Sequence, residues 1–337
     1  MTDETEIGTA DTMRERAGES RLKLWIMLSV DRLLLTGVLT AFVFIAFVLL
    51  VDVLSPPFAQ QVESGDIIGP LFTTMIVVIV TGVTFVVTIG QLILTQETGP
   101  LGDQHERMSR SMDVREYTDE LIGPPIPGNP AALLSELIAT TKHRSVALRE
   151  AAADSSNDAF REDAEAFTGS VIGNADTVRD QLDGAQFGSF DAVDASLNFN
   201  YGKKILQVER LQAEYPDLDE HEQRLLDDLK GALSLFGPAR EHIKTLYFQW
   251  ALIDLSQLIL YAAVPALTVA GIVAAVVDAG TFPGSTFGIA NITLVVGAAF
   301  ALTLVPFLLF VSYLLRILTV AKRTLAIEPL ILRDTDE

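Results

Sequence analysis

Four stretches of this 337-residue chain are apolar over a length that matches the hydrocarbon core of a bilayer, about 30 Å or roughly 20 helical residues. They run over about 33–54, 71–94, 252–277 and 291–318. A segment in lipid has no water to bond its backbone, so each must close its hydrogen bonds internally and is expected to be a helix. Hydrophobic residues are 49% of the chain for this reason. The first run is too long for the core of a secretory leader, and no small-residue cleavage site follows it, so it reads as a retained anchor.

Charge beside the runs orders them. The loop at about 55–69 holds Glu63 and Asp66 but no Lys or Arg, and the loop at about 278–290 also has none. Arg14, Arg16, Arg21, Lys23 and Arg32 precede the first run, and Arg107, Arg110 and Arg115 follow the second. Arg240 and Lys244 precede the third, and Lys322 and Arg323 follow the fourth. The positive-inside rule then predicts a multi-pass protein of the cell membrane, with both termini and the middle segment in the cytoplasm. Asn291-Ile292-Thr293 forms a glycosylation sequon at the outer end of the fourth run.

The predicted organisation is a polar, disordered tail over 1–19 and an interfacial helix or cytoplasmic extension over 20–32, with Trp25 at headgroup depth. A first transmembrane hairpin covers 33–95, a cytoplasmic helical domain 96–250, a second hairpin 251–320 and a tail 321–337. In the middle segment Phe160, Ala164, Phe167, Val171, Ala175, Val178 and Leu182 recur at helical spacing. Asn129-Pro130 suits a helix start. Further helices are expected over about 190–215 and 218–236, with Gly237-Pro238 bending or breaking the chain. No alternating strand pattern appears. The fold class is therefore all-α: four transmembrane helices, two plus two, with an antiparallel helical bundle between spans 2 and 3.

The chemistry is mostly negative. Net charge is −20, and residues 99–250 carry 27 acidic against 15 basic side chains. No basic stripe exists for nucleic acid. Without cysteine, thiolate catalysis and thiolate-held zinc are excluded. The four histidines form no zinc motif, and no Gly-rich phosphate loop or nucleophile elbow is present, so no enzyme, no cofactor and no metal site are expected. Asp219-Glu220-His221-Glu222 reads as a solvated acidic face, since adjacent helical residues do not converge on one point.

One polar pattern sits inside the apolar runs. TTMIVVIVTGVTFVVTIGQLILTQ, Thr73 to Gln96, carries Thr74, Thr81, Thr84, Thr88, Gln91 and Thr95, six positions within about 100° of a helix. Asp254, Gln257, Tyr261 and Thr268 share a sector of about 60° in the third run. Three explanations fit the first stripe: close helix packing, a water-lined pore in a homo-oligomer, or a small-ligand or signalling face. Asp254 and Arg316 fall at one depth if spans 3 and 4 are antiparallel neighbours. They could pair, or each could reach the interface separately.

This layout resembles the bestrophin-type anion channels, pentamers whose second span lines the pore, although the Arg-Phe-Pro signature and aromatic neck of that family are absent. QLILTQETGPLGDQHERMSRSM, Gln91 to Met112, resembles uncharacterised haloarchaeal membrane proteins, and the acidic, lysine-poor composition resembles that of salt-loving archaea. The outer acids Asp52, Glu63, Asp66 and Asp278 would gather cations at a pore mouth, or simply follow from the exclusion of positive charge there. The expected function is an oligomeric ion channel or transport protein. The alternative is a structural, scaffold or sensory membrane protein whose acidic bundle binds a cytoplasmic partner.

Overall fold

The computed structural model describes residues 25–53, 57–97, 100–123, 126–185 and 190–324, leaving aside the side chains at 52–53, 93–94, 96–97, 114 and 322–324. The expected tail 1–19, the first part of the 20–32 segment, the stretch 325–337 and the side chain of Asp52 lie outside them. The described chain is all-α apart from one hairpin of two two-residue strands. A π-helical turn, Trp25–Ser29, precedes α1 (Arg32–Val53), α2 (Phe58–Ser64), α3 (Ile68–Glu97) and α4 (Leu101–Ile122). Then come α5 (Pro130–Ala153), α6 (Asp158–Leu182), α7 (Phe190–Leu197), α8 (Tyr201–Glu214) and α9 (Glu220–Val276). Strands β1 (Ser285–Thr286) and β2 (Ile289–Ala290) lead into α10 (Asn291–Thr303) and α11 (Val305–Thr324).

Two compact units divide the chain. One is built from 99–250 and the other from 22–98 with 251–322. In the first, α5 packs most extensively on α6. Asn129 caps α5 by accepting from the Ala131 N–H, with Pro130 at the first helical position. Asn157 caps α6 through the Ala159 and Phe160 N–H groups. All seven residues of the Phe160–Leu182 stripe are buried. The segment expected as one helix over 190–215 is two. It breaks at Asn198–Asn200, where the Asn200 side chain accepts from the Lys203 N–H and opens a new helix.

Of the bend or break expected at Gly237-Pro238, the break does not occur: α9 runs through both residues. Proline removes one backbone bond, but Leu233, Phe236, Arg240 and Ile243 keep a single buried face running through the site. A Cβ on Gly237 would lie 2.9 Å from the Tyr201 ring, so the glycine makes room for that packing.

In the second unit, α1, α3 and the apolar end of α9 are each long and apolar enough to cross a membrane. The fourth run differs from the sequence reading. It is two helices, α10 and α11, bent by 45° at Leu304. Pro306 explains the break, since its ring nitrogen cannot donate to the preceding turn. Phe58, Ile68, Phe72, Ala270, Val273, Ile292 and Val296 form one apolar cluster, and Val86, Leu255, Ile259 and Leu309 another. The 55–69 loop contains a short helix, α2, whose Phe58 and Val62 join the first cluster.

Candidate functional site

The polar stripe of α3 points away from the core of its unit. Thr74, Thr81, Thr84, Thr88, Gln91 and Thr95 are all exposed, whereas Phe72, Met75, Ile79 and Val86 are buried. At about 100° per residue the two sets are centred about 180° apart. The apolar face is consumed by packing within the chain, so intramolecular helix packing does not account for the hydroxyls.

Each threonine spends its proton on its own helix. Thr74 donates to the Pro70 carbonyl at 2.9 Å, Thr81 to Val77 at 2.8 Å, Thr84 to Val80 at 2.9 Å and Thr88 to Thr84 at 3.0 Å. Thr95 donates to Leu92 at 2.7 Å. This back-bonding keeps a hydroxyl inexpensive at an apolar depth and leaves oxygen lone pairs facing outward. The face offers acceptors, which suit cations and water better than anions.

The polar face of α9 behaves alike. Asp254, Gln257, Tyr261 and Thr268 are exposed, opposite buried Leu255, Ile259, Ala263 and Ala266. Thr268 donates to the Val264 carbonyl at 2.9 Å. The structure does not bring Asp254 to Arg316. The Arg316 Nη2 instead donates to the Val30 carbonyl at 2.7 Å.

That bond belongs to a polar cluster that sequence reasoning missed. Arg32 is 3% exposed. Its Nη1 donates to the Ser312 carbonyl at 3.2 Å, its Nε to Val30 at 3.0 Å and its Nη2 to Ile26 at 3.0 Å. Thr36 and Ser312 share a hydrogen bond of 3.0 Å. A guanidinium fork can meet several carbonyls at once, so Arg32 ties the π turn, α1 and α11 together. The signal lay in two i, i+4 pairs, Arg32/Thr36 and Ser312/Arg316, each stacked on one helix face.

The acids of the two short loops are built into turns. Asp66 accepts from the Gly69 N–H at the start of α3. Asp278 accepts from the Thr281 hydroxyl at 2.8 Å and the Gly280 N–H at 2.9 Å, and the hydroxyl above all lowers its pKa below the usual carboxylate value. The Asn291 side chain of the sequon is hydrogen-bonded within the chain: its Nδ2 donates to the Pro283 carbonyl at 2.9 Å, its Oδ1 accepts from the Thr286 hydroxyl at 2.7 Å, and Thr293 is buried.

In the other unit, the acidic residues at 219–222 serve a helix start. Asp219 accepts from the His221 and Glu222 N–H groups, and Glu222 accepts from the Asp219 N–H at 3.0 Å, a reciprocal cap. No group of three or more metal-ligating side chains occurs among the described residues.

No curated protein and no solved structure matches the chain. One family model does match it, over residues 1–337, and the chain belongs to that family, described as Family of unknown function (DUF7972).

Proposed function

We propose that this protein crosses the cell membrane four times, α10 and α11 together making the fourth crossing, and assembles around α3 as an oligomeric ion channel or related transport protein. Both termini and the 99–250 unit then lie in the cytoplasm, as the basic flanks require. The observation that carries the reading is the outward stripe of Thr74, Thr81, Thr84 and Thr88. Four helices of one chain make a poor aqueous pore, so a symmetric ring is needed to face the stripes inward. Acceptor oxygens along the wall and Glu63, Asp66 and Asp278 in the outer loops favour cations.

Two measurements test this: the mass of the protein in nanodiscs at high salt, and cation flux through liposomes carrying Thr84→Val/Thr88→Val. A defined oligomer whose conductance changes with an unchanged mass is expected. A monomer, or an oligomer whose flux ignores the substitution, contradicts the pore.

A second reading has its own observation. A cleft of about 680 Å³ in the 99–250 unit is edged by Glu150, Asp154 and Asp217. Such a face suits a basic segment of a cytoplasmic partner, and the protein would then be a scaffold or sensor. Binding that falls with salt and with Glu150→Gln/Asp154→Asn would support that role.

A further inference from the structure

A cleft of about 520 Å³ opens beside α3, within the unit that holds the apolar helices. Met75, Ile79 and Val86 of α3, Ile259 of α9 and Thr303 of α10 form its buried floor. Val78, Phe85 and Phe307 are exposed lining residues and form its mouth.

Two sequence features leave the space. Gly82 has no side chain, and a Cβ built there would meet nothing within 4 Å. On the other side, the chain turns by 45° between α10 and α11, where Pro306 cannot continue the backbone ladder.

The depth of the cleft is set by α3. Gly82 lies at the middle of Ile68–Glu97, about 21 Å along the axis from either end. In a hydrocarbon core of about 30 Å, that is close to the midplane.

The walls offer little that is polar. No charged side chain lines the cleft, and the Thr303 hydroxyl donates to the Phe300 carbonyl at 2.7 Å, which leaves its oxygen as a single side-chain acceptor. A water molecule needs two to four polar partners, and one acceptor does not hold it. An empty cleft would forfeit dispersion contacts along every wall. The volume falls within the range of ligand cavities, about 300–1,000 Å³, and the lining is of the kind that holds apolar molecules.

We infer that this cleft is a binding site for one hydrocarbon tail of a membrane lipid, retained as a resident ligand between α3 and the α10–α11 bend. The inference rests on the membrane-spanning reading of these helices and not on the pore. Gly82 and the Pro306 bend make the room, Ile79 and Ile259 contact the tail, and Phe85 and Phe307 flank its entry.

The test uses the full chain reconstituted with dioleoylphosphatidylcholine, then moved into detergent. Phosphatidylcholine retained per chain is counted by native mass spectrometry, which also reads the oligomer. Wild type is expected to keep one phospholipid more per chain than Gly82→Leu, whose side chain occupies the space. Val78→Phe narrows the mouth without touching the floor and is expected to show the same loss, so a folding defect in Gly82→Leu does not hide the result. Val38→Phe, at an exposed position of α1 outside the cleft, keeps the wild-type count.

Equal lipid counts in wild type and both cleft variants would overturn the inference. A lower oligomer mass in the cleft variants, with unchanged lipid, would overturn it in favour of a second copy filling the cleft. A chain that stays soluble without detergent and binds no lipid in any form would remove the membrane reading itself, and the inference with it.

Discussion

Gly297→Ala adds one methyl group where α10 packs against Phe47 and Val48 of α1. A Cβ there would lie 2.9 Å from Phe47 Cδ1 and 3.3 Å from Val48 Cγ2. Carbon atoms pack best at about 3.5–4.0 Å, so the neighbours must yield by roughly 0.6–1 Å. Phe47 has little freedom to do so. Its ring sits 5.8 Å from Phe58 in an edge contact and 5.3 Å from Phe300, which rides on the same helix as Gly297. Overpacking of this kind costs about 1–3 kcal/mol; the helix preference of alanine offsets about 0.5–1 kcal/mol of that, which leaves a net loss of about 1 kcal/mol at the centre of the two ranges.

The control is Gly271→Ala on α9, where a Cβ meets nothing within 4 Å. Replacing a helical glycine by alanine with no steric penalty gains about 0.5–1 kcal/mol. The two substitutions therefore have opposite signs. The assay is unfolding in mixed micelles titrated with SDS, followed by tryptophan emission. The midpoint should fall for Gly297→Ala and hold or rise for Gly271→Ala. A Gly297→Ala midpoint at or above wild type would refute the close packing of α1 on α10.

The β1–β2 turn holds Phe287 at φ 55° followed by Gly288 at φ 81°, and the Phe287 ring is 99% exposed. An aromatic residue is strained in the left-handed region, whereas Asn-Gly suits such a turn. Phe287→Asn should raise stability by about 1 kcal/mol in the same assay, and a loss would show that the ring is packed. The Tyr215 hydroxyl donates to the Asp163 carboxylate at 2.5 Å, and that bond, with smaller help from burial and neighbouring acids, raises its pKa to about 12. A raised phenol pKa contributes stability that is complete below about 10 and lost as pH rises through about 12. Phenolate absorbance should show a tyrosine ionising near 12, and Asp163→Asn should bring that step down. An unchanged titration in Asp163→Asn would rule out the bond as its cause.

The apolar runs were legible as long helices because length and apolarity occur in them together, the combination a bilayer crossing would demand. Helix ends were legible where a single residue type does the work, as with the Asn129 cap and Pro130. Phe160 to Leu182 disclosed a buried face because a 3.6-residue period has one physical meaning in a soluble helix.

Other features depend on tertiary context. Pro306 sits in an unbroken apolar run, so hydropathy passes over the bend that it causes. Gly237-Pro238 looks like a helix end, but buried neighbours on both sides and the Tyr201 ring hold the helix through it. The stripe of α3 was visible as a face, yet periodicity does not tell which way a face points. That required the opposite residues Phe72, Met75, Ile79 and Val86 to be seen buried. Arg32 read as a topological flank: the i, i+4 pairs Arg32/Thr36 and Ser312/Arg316 mark two polar faces, but nothing local says that the faces meet across 280 residues.

The absence of native cysteine makes one measurement especially direct. Single cysteines at Thr81, Thr84 and Thr88 would be exposed in intact membranes to a charged, membrane-impermeant thiol reagent, with Val78→Cys, an exposed position off the stripe, as the comparison. A water-lined stripe predicts rapid modification at the three threonine positions and little at Val78. Equal, negligible labelling at all four would place the stripe in lipid or in a dry interface, and would contradict the pore.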